Sequence, residues 1–94
     1  MKNIEIKKLS DMPYAQAHVE YIDDKNVYLW SYSTLVAEIT DGWLKINGLY
    51  SATTRRHIGA FMHEYVWGGT YQLAKQLYDD RKALDITTGE VADI

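Results

Sequence analysis

The chain has 94 residues, 47% of them apolar and 24% charged, with a net charge of −3 and no cysteine. That length suits one domain spanning residues 1–94, and the composition is globular and away from disorder. The missing cysteine excludes disulfides, thiolate nucleophiles and cysteine-based zinc sites and fits a cytoplasmic location, while the acidic balance argues against indiscriminate nucleic-acid binding.

Read in chain order, residues 4–9 alternate weakly through Ile4 and Ile6 and predict a first strand. The charged start, Met1 to Lys8, has no apolar run of the kind a signal peptide needs. No stretch approaches the roughly 20 apolar residues of a membrane span, so no membrane partner is expected. Ser10-Asp11-Met12-Pro13 is a turn signal. Ala15, Ala17, Val19 and Tyr21 then repeat with the period of a strand, and Asp23 to Asn26 form the next turn.

Residues 27–40 alternate without a slip of phase. Val27, Leu29, Ser31, Ser33, Leu35, Ala37 and Ile39 fall on one side, and Tyr28, Trp30, Tyr32, Thr34, Val36, Glu38 and Thr40 on the other. This is one long bent strand or two strands with a polar break at Ser31–Thr34. Asp41-Gly42 signals a tight type I′ hairpin. Pairing across it sets Ile39 opposite Leu44, Ala37 opposite Ile46, and Glu38 opposite Lys45, an apolar face backed by an opposite-charge pair.

Ser51-Ala52-Thr53-Thr54 offers helix N-caps, and Ile58, Phe61, Met62 and Tyr65 follow helical spacing up to Gly68-Gly69, read as the stop. Thr70 caps a second helix with Leu73, Ala74, Leu77 and Tyr78 on one face. The last ten residues, 85–94, read as a loose tail or a short extension. The expected fold is α+β: a mostly antiparallel β-meander of about four strands, then two helices packed on one sheet face.

Two surfaces stand out. Two helices cover one sheet face, which leaves Tyr28, Trp30, Tyr32, Val36 and Trp43 on the other, too aromatic for an ordinary solvated face. A sheet that stacks nucleic-acid bases needs cations as well as rings. This stretch sets only Lys25 and Lys45 against Asp23, Asp24, Glu38 and Asp41, so a protein contact, a homodimer first, is the preferred reading. The second surface is the helix start, Ser51, Thr53, Thr54, Arg55, Arg56 and His57. Arginines in a first turn oppose the helix dipole, and hydroxyls, N–H groups and guanidinium suit a phosphate, a carboxylate or a nucleic acid. The bland alternative is a solvated helix start with arginine stems lying on apolar neighbours.

Catalytic and metal patterns fail. His57 and His63 are six apart and face different sides of a helix, His63-Glu64 lacks the second His of a zinc-protease motif, and no phosphate loop occurs. No enzyme activity, metal or cofactor is therefore expected.

Ser31-Tyr32-Ser33-Thr34-Leu35-Val36-Ala37, followed by Tyr50-Ser51-Ala52-Thr53-Thr54-Arg55-Arg56-His57 and a helix with Phe61, resembles small uncharacterised proteins of phages, prophages and plasmids of Gram-positive bacteria. The likeness covers residues 27–66. It implies a mobile-element protein acting in the bacterial cytosol, with a host protein as a possible partner, and it transfers no site residues.

Overall fold

A computed structural model describes residues 3–94; Met1 and Lys2, the first residues of the charged N-terminal stretch, lie outside the described residues. Five strands come first: β1 (Glu5–Lys7), β2 (Ala17–Asp23), β3 (Asn26–Ser31), β4 (Thr34–Thr40) and β5 (Trp43–Ile46). Helices α1 (Ala52–Tyr65) and α2 (Tyr71–Asp80) follow, then strands β6 (Lys82–Asp85) and β7 (Val91–Asp93). Neighbours in sequence are neighbours in space, and every pairing in the seven-stranded sheet is antiparallel.

The sheet is thus wider than the four strands expected. The chain after α2 adds two strands: β6 pairs with the edge of β5, Leu44 opposite Leu84, and β7 closes a further hairpin onto β6, so the last ten residues are a short extension of the sheet and not a loose tail. The turn is held by the Asp85 carboxylate, which accepts from the Thr87 and Thr88 amides at 2.8 and 3.2 Å. These two bonds hold the Asp85 carboxyl below its usual pKa. Both outer strands are only three residues long, which limits unwanted edge pairing.

The hairpin at Asp41-Gly42 has the register its turn dictates, with Ile39–Leu44, Ala37–Ile46 and Glu38–Lys45 as partners. Both turn residues take positive φ, as a type I′ turn requires. Residues 27–40 form two strands, and their phase does slip. Leu29 pairs with Ala37 but Trp30 pairs with Leu35, so Val36 is the extra residue of a β-bulge. The bulge exchanges two side chains between faces. Val36, expected among the aromatics, is fully buried beside Ala37, while Leu35 sits half-buried on the face of Trp30.

One core fills the space between sheet and helices. Val19, Val27, Leu29, Ala37, Ile39, Leu44 and Ile46 meet Ile58, Phe61, Met62, Ala74 and Leu77. α1 lies over β3 and β4, and α2 over β5 and β6. The hydroxyls of Ser51 and Thr70 accept from the amides of Thr54 and Leu73, capping both helices. α1 ends earlier than its glycines suggest. Val66 is already extended, and Val66 to Gly69 form a turn in which Gly69 N–H donates to the Val66 carbonyl and Gly68 supplies the positive φ.

Candidate functional site

The two halves of the hydroxyl-rich pattern meet in space. Ser31 ends β3, and its Oγ lies 2.8 Å from His57 Nδ1 and 3.0 Å from Thr54 Oγ1, both on α1. Ser51, the N-cap, donates to Thr54 Oγ1 at 3.3 Å and accepts from the Thr54 amide at 3.2 Å. One hydrogen-bonded chain therefore joins the N-cap, the first turns of α1 and the end of β3. Ser31 is 2% exposed and His57 1%. Burial, then the Arg56 charge, pushes the His57 pKa below its ordinary value, so the ring is neutral near pH 7.

A serine hydroxyl beside an imidazole has the form of a nucleophile and its base. Burial decides against that use, because a substrate carbonyl has no approach to an oxygen enclosed between sheet and helix. The pair acts as a clamp: in an apolar setting a fully bonded polar network orients the elements that carry it. Around it the backbone is unusual. Tyr32 and Tyr50 both adopt left-handed φ, 54° and 46°, and both rings are exposed. The Tyr32 ring centroid lies 6.0 Å from that of His57, so this side chain folds over the sheet end towards α1.

That geometry divides the six residues of the expected anion site. Thr54 and His57 are buried and bonded to Ser31, so they do not face an incoming anion. The Ser51 hydroxyl occupies the Thr54 amide, and the Arg55 amide already donates to the Ser51 carbonyl, the first turn of the helical ladder. Arg55 and Arg56 follow the first helical turn, where the dipole they oppose is weaker. Their side chains are exposed, and neither makes an ion pair among the described residues.

The aromatic face is likewise redrawn. Lys45 opposes Glu38, which opposes Tyr28, so Tyr28, Trp30 and Trp43 share the face turned away from the helices. Tyr32 and Val36 leave it, the first at the turn and the second at the bulge. Two neighbours that periodicity did not single out join it: His18 stacks on Trp30 with centroids 6.2 Å apart and planes at 5°, and Glu20 accepts a hydrogen bond from Trp30 Nε1. Glu38 accepts from Asn47 Nδ2 at 3.0 Å. The register of β2 against β3 places His18 and Glu20 there, opposite Trp30 and Tyr28. The alternation through Ala17, Val19 and Tyr21 carries that signal, once its other phase is considered.

Among the described residues no group of three His, Asp or Glu side chains is placed to hold a metal ion, and no helix is long and apolar enough to cross a membrane. The molecule is an α+β protein: an antiparallel meander with a helical layer on one face and an aromatic, carboxylate-bearing surface on the other. The chain belongs to DUF8033, a family of unknown function whose model matches residues 3–85. No curated protein and no solved structure matches it.

Proposed function

We propose that this domain is a non-enzymatic protein-interaction module that self-associates through the sheet face of Tyr28, Trp30 and Trp43. One observation carries the reading: these three rings all lie on the sheet face without helices. Large aromatic rings are the residues most often dominant in protein contacts, because they bury much area at little entropic cost. Glu20 and Glu38 on the same face are engaged by Trp30 and Asn47, and Lys45 lies opposite Glu38. A surface with both charge signs and satisfied carboxylates suits pairing with its own copy across a two-fold axis. A host protein is the alternative occupant, in line with the mobile-element likeness of residues 27–66. Action in the cytoplasm belongs to the same reading.

Sedimentation at high micromolar concentration tests it. A dimer is expected, weakened at least about tenfold by Trp30→Ala or Trp43→Ala. Tyr78→Ala, on the exposed side of α2, leaves it unchanged. A strict monomer with Trp30 intact removes the self-association reading.

A nucleic-acid or phosphate ligand at residues 51–57 is the second reading. Only the exposed Arg55 and Arg56 favour it, since Thr54 and His57 are withdrawn into the clamp. Salt-sensitive binding of DNA or RNA, lost in the double arginine variant, is its signature.

A further inference from the structure

Arg55 and Arg56, exposed and without an ion pair among the described residues, border a groove whose floor is not built for phosphate. It measures about 470 Å³ and runs between α1, the first residue of α2 and the loop before β2, with Met12, Gly59, Ala60 and Tyr71 as its apolar lining. Arg55 and Arg56 stand at its rim, and Asp11 is its one acidic lining residue among the described residues. The loop wall is fixed in place. Leu9 is fully buried in the core, the Met12 amide donates to the Leu9 carbonyl at 3.1 Å, and the Ser10 amide donates to Glu64 Oε1 on α1 at 2.8 Å. Gly59 and Ala60 make the recess, because neither carries a side chain long enough to fill it.

We infer that this groove is a binding site for a small amphipathic monoanion, an apolar body with one carboxylate or sulfonate head. The volume lies in the range of small-molecule pockets, and apolar lining with a few charged groups is their usual composition. Charge selects the head. Two guanidinium groups with no ion pair among the described residues attract an anion, and with Asp11 they leave the lining a net single positive charge, which one carboxylate balances. The floor selects the body, since an inorganic phosphate or a nucleic-acid backbone leaves Met12, Gly59 and Ala60 uncovered. This site lies on the helical side of the molecule, so its fate is independent of the proposed contact on the sheet face.

Amide NMR shifts during titration with 1-naphthaleneacetate test the inference, with neutral 1-naphthaleneethanol and inorganic phosphate as comparison probes. Saturable shifts are expected at Gly59 and Ala60 with the carboxylate. The neutral alcohol binds at least about tenfold more weakly, because hydrogen bonds to charged groups are the stronger ones. R55Q/R56Q lowers carboxylate affinity by a similar factor, and Ala60→Leu, which fills the recess, abolishes it. The altered side chains of the double variant are exposed, and the probe comparison on the unaltered chain decides the matter without any variant. No saturable shift at Gly59, equal affinity for acid and alcohol, or phosphate binding as tightly as the carboxylate overturns the proposal.

Discussion

Gly69→Ala is expected to destabilise the fold by about 3 kcal/mol or more, which for a domain of this size lowers the Tm by roughly 12 °C or more. A Cβ at this position lies 2.2 Å from the Met62 carbonyl oxygen and 2.8 Å from that of Val66. Both obstacles are backbone atoms at the end of α1, so relief requires the α1–α2 turn to move and not merely a rotamer change. The turn is itself anchored, because the Gly69 amide donates to the Val66 carbonyl at 2.8 Å and the Val66 amide to Met62 at 3.0 Å. The neighbouring glycine supplies the contrast. Gly68 has φ +68° and nothing within 4 Å of a built Cβ, so Gly68→Ala carries only the left-handed backbone cost of about 1 kcal/mol. Urea unfolding of both variants is the measurement. Equal losses at the two positions contradict the close approach at Gly69.

His57→Ala is expected to lose about 3 kcal/mol, through a cavity in the core and the loss of the ring's bond to the Ser31 hydroxyl, which keeps only Thr54 as its partner. Ser31→Ala removes fewer atoms but leaves His57 Nδ1 without its partner, at about 1–3 kcal/mol. The same clamp makes stability depend on pH. The folded chain holds the His57 pKa below its ordinary value through burial and the Arg56 charge, so below that ordinary value the unfolded chain binds the proton more readily. The contribution is complete above the unfolded pKa, about 6.5, and declines as the pH falls below it. It stops changing once the pH lies below the folded value as well. Unfolding curves between about pH 7 and pH 5 therefore steepen in their pH dependence for the native chain relative to His57→Ala. The same slope in both chains shows that His57 is not the group responsible.

The pairing at Asp41-Gly42, the cap at Thr70 and a cap within residues 51–54 were legible in the residues themselves, for a shared reason. A two-residue turn sets the register of the strands it joins, and an N-cap satisfies an amide three residues away, so each decision is made within a short stretch. The addition of β6 and β7 was not legible. Their strands are short, and Lys82–Asp85 becomes a strand because β5 offers it an unpaired edge across the intervening helices.

The bulge at Val36 is a further tertiary decision. Alternation alone continues in phase, and only packing under α1 and α2 makes two consecutive apolar residues, Val36 and Ala37, more stable when both are buried. The same holds for both surfaces of interest. Tyr28, Trp30 and Trp43 were identifiable from their period, but His18 and Glu20 joined them through the β2–β3 register. Ser31, Thr54 and His57 were visible as a pattern that core packing does not require, and only the placement of α1 over β3 turned them into a buried clamp. That closure freed Arg55 and Arg56 from the helix start and left them on the rim of a groove formed by the loop before β2, α1 and α2. Local chemistry determined the hairpin and the caps. Contacts distant in sequence decided which polar residues are buried, which aromatics stay outside the core, and where the exposed arginines lie.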